Sequence, residues 1–212
     1  MSPTHTELSD LQAIFWDFDG VLLNSNEIRD KGFAEVLKEY PAAEVDQLLA
    51  FHQQNGGLSR YVKFRYFFEK IRGVSISESE IQQWAERFSV IMRELLTDSG
   101  LQIQETINYV RRNHTRVHMY IVSGSDQEEL RFLCKAHGIA SYFKRIHGSP
   151  TPKKEWVGTI LKEEKLESGK CILVGDSIND HEAASVNGMH FMSYNGTEEL
   201  DSKTTFILDL NY

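Results

Sequence analysis

Two aspartates separated by one residue follow the first apolar segment of the chain. Residues 13–16 are apolar, and Asp17, Phe18, Asp19 and Gly20 come directly after them. A short apolar run of this kind is typical of a strand buried on both faces. Because side chains alternate along a strand, Asp17 and Asp19 should leave its carboxyl end on the same side. Buried carboxylates need compensation, and a divalent cation commonly supplies it.

Two later apolar segments also end in polar groups that could bind a ligand. Residues 171–174 precede Asp176, with Asp180 four residues further on, and residues 117–122 precede Ser123. Ligands of open α/β sheets bind beyond the carboxyl ends of the strands. The three segments together therefore predict one site at that edge of a sheet.

Strand patterns alternate with helical patterns, which predicts a parallel sheet with helices on both faces. The predicted strands cover residues 12–18, 117–123, 142–147, 170–175, 190–194 and 204–209. Ser125-x-x-Glu128 has the spacing of a capping box that would begin a helix ending at His137, before Gly138.

Residues 25–97 interrupt this alternation, since they contain no convincing strand. Apolar residues recur there at spacings of three and four, from Ile81 to Leu95 for example, as on one face of a helix. We therefore expect an α/β core domain formed by residues 1–24 and 98–212, and a helical domain formed by residues 25–97.

The composition limits the classes of function. The chain has 212 residues, 41% hydrophobic and 25% charged, with a net charge of −8. The negative charge argues against a nucleic-acid or anionic-membrane partner. Residues 1–10 lack the apolar region of a signal peptide, so we expect a cytoplasmic location, and the two cysteines should be core residues. The oligomeric state stays open.

Four segments resemble the motifs of the haloacid dehalogenase-like (HAD) hydrolases in order and spacing. They are residues 15–22, 121–125, 149–155 and 175–180. The resemblance is to members with a helical C1 cap, such as phosphoglycolate phosphatases and β-phosphoglucomutases. It implies a Rossmann-like core with an all-helical cap between the first two motifs. A cap that closes would exclude water and hold the part of the substrate that does not react.

The resemblance also implies chemical roles. Asp17 would be the nucleophile that forms an aspartyl-phosphate, and Asp19 would protonate the leaving oxygen. Asp19 must then hold a proton near pH 7, and a neighbouring carboxylate with partial burial is expected to raise its pKa. Mg²⁺ would bind the carboxylates of Asp17 and Asp176 and the backbone carbonyl of Asp19. Asp180 would lie behind them or bind through water, or else would be a helix N-terminal acid.

Further residues would bind the phosphate. Ser123 and the Gly124 amide would hold its oxygens at a helix N-terminus, although Ser123 could also be an N-cap. The third motif has two adjacent lysines after its prolines. We expect Lys153 to neutralise Asp17 and the phosphate, with Lys154 as the alternative.

The substrate's leaving group should meet the helical segment. Arg60 and Lys63 lie on one helical face and are candidates to contact an anionic or hydroxylated group, although a solvated face fits them nearly as well. These features predict a Mg²⁺-dependent phosphatase for a small phosphorylated metabolite. The alternatives are a phosphomutase of the β-phosphoglucomutase type and a non-catalytic phosphate-binding module.

Overall fold

A computed structural model describes residues 11–211 of the protein. Its five parallel strands form one sheet in the order β3-β2-β1-β4-β5. They are β1 (Ala13–Trp16), β2 (His118–Asp126), β3 (Arg145–Ser149), β4 (Cys171–Gly175) and β5 (His190–Ser193).

The helices are distributed unevenly along the chain. Between β1 and β2 lie α1 (Asn26–Val36), α2 (Ala42–Gln54), α3 (Arg60–Tyr66) with a π-helical continuation (Phe67–Ile71), α4 (Glu78–Leu95) and α5 (Gln104–Asn113). The later helices are α6 (Gln127–Ala136), α7 (Lys153–Glu163), α8 (Ile178–Val186) and α9 (Glu198–Asp201). The described part of residues 25–97 therefore contains helices and turns and no strand, as the sequence predicts.

The sheet is buried on both faces, and β1 lies at its centre. Ala13 and Phe15 pack in one apolar cluster together with residues of α7 and α8. Ile14 and Trp16 pack in the other, which includes residues of α1 to α6. All four side chains are fully buried, which explains the unbroken apolar run of β1. The predicted α/β architecture with helices on both faces is confirmed.

The sixth strand predicted at 204–209 is wrong, because these residues follow β5 without forming a strand. The hydroxyl groups of Thr204 and Thr205 accept hydrogen bonds from the backbone N–H groups of Ser193 and Phe191, each at 3.0 Å. Threonine side chains thus occupy donors that a sixth strand would have used, so a regular ladder cannot form.

The two cysteines agree with their prediction. Cys134 and Cys171 are free and buried, as predicted for core residues. In the described range, no helix has the length and apolar character that crossing a bilayer requires. The polar residues 1–10, on which the expectation about a signal peptide rests, lie outside that range.

Candidate active site

Three aspartates meet at the carboxyl ends of the two central strands. Asp17 follows β1, Asp176 follows β4, and Asp180 lies in the first turn of α8. One carboxylate oxygen from each lies within 4.8 Å of the others. The pairing of β1 with β4 sets this arrangement, since Trp16 is opposite Val174, and Asp17 and Asp176 follow the last residues of the two strands.

The cluster carries more negative charge than its protein surroundings neutralise. Burial, and then the charge of Asp180, raise the pKa of Asp17 well above its usual value, although Lys153 acts against them. The same two causes raise the pKa of Asp176 to about 7. Three carboxylates that face a single ammonium group favour protons or a cation. The donor set, hard oxygen atoms in a nearly closed cluster, fits Mg²⁺.

Lys153 is the lysine that enters this cluster. Its Nζ lies 3.0 Å from Oδ1 of Asp17 and also contacts Asp180, and the side chain is buried. Burial alone would lower the pKa of Lys153, but Asp17 and Asp180 hold it above its usual value. Lys154 instead forms a half-exposed ion pair with Glu182 at 3.0 Å. Of the two candidates, the structure thus places Lys153 at Asp17.

Asp180 supports the other groups. One of its carboxylate oxygens binds Lys153, and the other accepts hydrogen bonds from the backbone N–H and the hydroxyl of Ser177, at 3.0 and 2.6 Å. This is a capping box for α8. The reading of Asp180 as a helix N-terminal acid is confirmed, and the same carboxylate is a member of the aspartate cluster.

The pKa of Asp19 differs from the prediction. Burial would raise its pKa, but the Arg29 guanidinium and hydrogen bonds from Ser125, Ser25 and Arg29 outweigh burial and lower it. Arg29 Nε lies 2.6 Å from Oδ1 of Asp19, and the Ser125 hydroxyl donates to Oδ2 at 2.5 Å. The expectation of a raised pKa is wrong, and Asp19 is ionised in this state.

The start of α6 also differs from its prediction. Asp126, not Ser125, is the N-cap, and its carboxylate accepts from the N–H groups of Glu128 and Glu129 at 3.1 Å. Ser125 is still in β2, where its hydroxyl is free to bind Asp19. The capping box predicted at Ser125 is therefore wrong.

Ser123 and Gly124 consequently lie in the last part of β2 and not at a helix N-terminus. The Ser123 hydroxyl accepts from the N–H of Ser125 at 3.1 Å. Both residues line the same cavity as Asp17 and Asp176. The structure thus brings Ser123 and Gly124 to the site, although by a different local geometry than expected.

A cavity of about 670 Å³ joins the aspartate cluster to the helical segment. On the sheet side its lining includes Asp17, Asp19, Ser123, Gly124 and Asp176. On the helical side its lining includes Arg29, Phe33, His52, Arg60, Lys63 and Phe88. A substrate in this cavity would contact both parts of the protein.

The loop after α2 covers the strand ends closely. A Cβ atom on Gly124 would lie 2.1 Å from the carbonyl oxygen of Gly57, so only glycine permits this approach. The side chain of Asn179 also donates to the carbonyl of Gly56 at 3.4 Å. The loop after α2 therefore contacts the strand ends directly.

The family described as haloacid dehalogenase-like hydrolase matches residues 14–194. The chain belongs to the haloacid dehalogenase-like hydrolase family. The match extends from β1 to the residue after β5, so it includes both the sheet and the helical segment.

One relative by sequence and two solved structures also resemble the chain. A 5'-nucleotidase from Pseudomonas aeruginosa is 25% identical over 83% of this chain and 79% of its own length. A protein described as a predicted phosphoglycolate phosphatase from Haemophilus somnus has a TM-score of 0.69 with 19% identity over 96% of both chains. A β-phosphoglucomutase from Clostridium difficile has a TM-score of 0.73 with 17% identity over 94% of this chain and 91% of its own. The two structures establish the fold.

Arg60 and Lys63, both in α3, have different surroundings. Arg60 is buried, and its guanidinium binds both carboxylate oxygens of Glu129 at 2.6 and 2.8 Å and the hydroxyl of Ser89 at 2.6 Å. Lys63 is also buried, but among the described residues its ammonium has no hydrogen bond or ion pair. The two residues that the sequence treats alike are therefore not equivalent.

Two residues that the sequence analysis missed connect the helices to the sheet. Glu129 of α6 is fully buried and binds Arg60 and also Arg29, at 3.0 Å. Arg29 in turn binds Asp19. The available signal was the position of Glu129 on the apolar face of α6, next to Leu130 and in line with Leu133. An acid on such a face indicates a buried partner.

Proposed function

We propose that this hydrolase is a Mg²⁺-dependent phosphatase that hydrolyses a small phosphate monoester through an aspartyl-phosphate on Asp17. The main support is the position of Asp17, whose carboxylate lies 3.0 Å from Lys153 and within 4.8 Å of two other carboxylates. A fixed carboxylate can attack phosphorus, and the lysine offsets the charge of both reactants. The 5'-nucleotidase relative also supports phosphomonoester chemistry.

The carboxylates of Asp17 and Asp176 and the backbone carbonyl of Asp19 would hold the Mg²⁺ ion. When bound, the ion would supply positive charge that lets the anionic nucleophile and the anionic phosphate approach each other. Asp180 would keep Lys153 and the turn at Ser177 in place. Ser123 and the Gly124 amide would donate to the phosphate oxygens.

Asp19 would act as the general acid for the leaving oxygen and then as the base for the water that cleaves the intermediate. In the structure it is ionised and bound to Arg29 and Ser125. As a general acid it must therefore exchange these contacts for a proton before the leaving group departs. As an ionised group, it is already in the form that a base needs.

Residues 25–97 would form the cap domain, and residues 1–24 with 98–212 the core domain. The fit between Gly57 and Gly124 supports a lid that excludes water from the strand ends. The helical side of the cavity would hold the leaving group. We also propose a cytoplasmic location and a small phosphorylated metabolite as substrate, with no nucleic-acid or membrane partner.

The experiment that tests this function is a screen of phosphorylated compounds scored by released phosphate. The screen includes nucleoside monophosphates, sugar phosphates and p-nitrophenyl phosphate. Release of free phosphate that EDTA stops and Mg²⁺ restores would support the phosphatase. An isomeric sugar phosphate without free phosphate would identify a phosphomutase, and no turnover of any compound would favour a non-catalytic module.

Mg²⁺ is expected to raise the melting temperature. Binding at a concentration of 100 times Kd adds about 2.7 kcal/mol to the free energy of unfolding. Because the folded state raises the pKa of Asp176 to about 7, above its ordinary value of 3.8, ionising it destabilises the metal-free fold as the pH rises through this range. The Mg²⁺ effect should therefore be larger at pH 8 than at pH 6. Differential scanning calorimetry with and without Mg²⁺ measures it.

Asp176→Asn should remove this Mg²⁺ response, and Asp46→Asn, at an exposed position of α2, should keep it. A full response in Asp176→Asn would contradict the proposed metal site.

Gly20→Ala should also weaken the Mg²⁺ response, for a steric reason. Gly20 has a φ of +72°, and a Cβ atom there would lie 2.0 Å from Oδ2 of Asp176. The left-handed backbone costs alanine about 1–2 kcal/mol, and the methyl group in addition displaces Asp176. Gly138→Ala is the matched control, since Gly138 has a φ of +68° with no atom within 4 Å of its Cβ. Urea unfolding should show a lower free energy of unfolding in both variants, and only Gly20→Ala should lose Mg²⁺ binding. Equal Mg²⁺ responses would contradict the steric argument.

A further inference from the structure

Lys63 is a buried residue whose ammonium group lies at the cavity without a polar partner. The residue is 3% exposed and lines the cavity, and its Nζ lies 6.0 Å from the centre of the Phe33 ring. Among the described residues no hydrogen bond or ion pair reaches this group. Buried charges in proteins are normally paired, so an unpaired one at a cavity wall indicates a partner that arrives with a ligand.

Two other cations line the same cavity but are not available to an anion. Nη2 of Arg29 has no hydrogen-bond partner among the described residues, but the surrounding protein encloses it, and the other nitrogens of this guanidinium bind Asp19 and Glu129. Arg60 is occupied by Glu129 and Ser89. Of these three cations, Lys63 is the one whose charged group can bind a ligand anion.

None of the nearby acids forms an ion pair with Lys63. Asp19 is bound to Arg29, and Glu129 is shared between Arg29 and Arg60. Asp30 lies 3.3 Å from Nε2 of His52, whose imidazole is kept neutral because burial, and then Lys63, lower its pKa to about 3. The Lys63 ammonium is therefore free to pair with an anion of a ligand.

We propose that the substrate carries a second anionic group, a carboxylate or a second phosphate, which binds Lys63 while its phosphoryl group lies at Asp17. This inference rests on the proposed phosphatase function and narrows its substrate class. A charge-assisted hydrogen bond to an anion would give the Lys63 ammonium the partner it lacks. The aromatic walls formed by Phe33 and Phe88 would enclose the carbon chain between the two anions.

The protonation of Lys63 agrees with this arrangement. Burial, and then the charge of Arg29, lower the pKa of Lys63 to about 7, with Asp19 and Asp30 acting in the opposite direction and Arg60 in the same one. A bound anion favours the charged form, so binding should take up protons at pH values above 7.

Binding of unhydrolysable compounds in the presence of Mg²⁺ tests the inference. Calorimetry compares alkylphosphonates with α,ω-bisphosphonates and ω-carboxyalkylphosphonates of the same, increasing chain lengths. At the best length, the wild-type protein should bind a two-anion compound at least about tenfold more tightly than its one-anion match. The more tightly bound series identifies the second anion as phosphate or carboxylate. No preference at any length would overturn the inference.

Lys63→Met should abolish this preference, and Lys63→Arg should keep part of it. Lys203→Met is the control, because Lys203 also lines the cavity but is paired with Glu199 and more exposed. A preference that survives in Lys63→Met would overturn the inference.

p-Nitrophenyl phosphate separates the two proposals, since its leaving group has no second anion. If the protein prefers two-anion compounds but does not hydrolyse p-nitrophenyl phosphate with Mg²⁺, only the phosphatase proposal is refuted. If it hydrolyses p-nitrophenyl phosphate but has no such preference, only the second-anion proposal is refuted.

Discussion

Asp17→Asn is expected to reduce phosphate release by at least about 10⁴-fold, because the amide cannot form the aspartyl-phosphate. The neighbouring Lys153 would stay in place, since Asp180 still binds it. Turnover of p-nitrophenyl phosphate with Mg²⁺ measures the loss. Mass spectrometry of acid-quenched wild-type protein should find a phosphate adduct on the peptide that contains Asp17.

The same variant should fold at least as well as the wild type without Mg²⁺. Burial and Asp180 raise the pKa of Asp17 above its ordinary value of 3.8, so its ionisation opposes folding as the pH rises above that value. Asparagine removes the charge, and the melting temperature near pH 7 should not fall. Unchanged phosphate release by well-folded Asp17→Asn would exclude this residue as the nucleophile. A loss of activity together with unfolding would require the adduct measurement to decide the assignment.

The sheet and its ligand-binding edge are predictable because they depend on local patterns. Residues 13–16 and 171–174 are apolar at every position, and only a strand buried on both faces accepts such a run. Acids placed directly after two such strands must meet when those strands pair in parallel. This is why Asp17 and Asp176 could be brought together from the sequence.

Competition between side chains explains the local errors. At 205–209 buried and exposed side chains alternate as in a strand, but two threonine hydroxyls bind the edge of β5. At the start of α6, both Ser125 and Asp126 are suitable caps, and the choice depends on Asp19, which binds Ser125 from far away in the sequence. Propensity alone cannot rank such alternatives, because tertiary contacts select between them.

The pKa of Asp19 and the unequal roles of Arg60 and Lys63 depend on contacts between distant segments. Arg29 binds Asp19 across ten residues, and Glu129 binds Arg60 across 69. The helical spacing of Arg60 and Lys63 places both on one face but does not show which of them meets an acid. That information appears only when α6 is packed against α3.

Removal of the Glu129 charge should cause the largest loss of stability of any single substitution considered for this protein. Glu129 is fully buried between the guanidinium groups of Arg29 and Arg60, whose side chains are only 7% and 3% exposed. Glu129→Gln leaves these cations without their shared anion, and loss of one partner of a buried ion pair costs about 3–5 kcal/mol. For a chain of this size, the melting temperature should fall by about 6–20 °C.

Glu128→Gln is the matched control, one residue away in the same helical turn. Glu128 is 74% exposed and pairs with Arg131, so its loss should change the free energy of unfolding by less than about 0.5 kcal/mol. Glu129→Met combined with Arg60→Met should recover part of the loss, because it removes a buried cation together with the anion. Equal unfolding free energies for Glu129→Gln and Glu128→Gln would refute the buried ion triad.

The pH dependence gives an independent check of the same triad. Burial would raise the pKa of Glu129, but Arg60 and Arg29 lower it below its ordinary value of 4.5. An acid whose folded pKa is lowered stabilises the fold above its unfolded pKa, and this stability is lost as the pH falls through the folded pKa. The difference in unfolding free energy between wild type and Glu129→Gln should therefore be constant near pH 7 and shrink below pH 4.5. A difference that persists unchanged in acid would mean that Glu129 acts through packing and not through its charge.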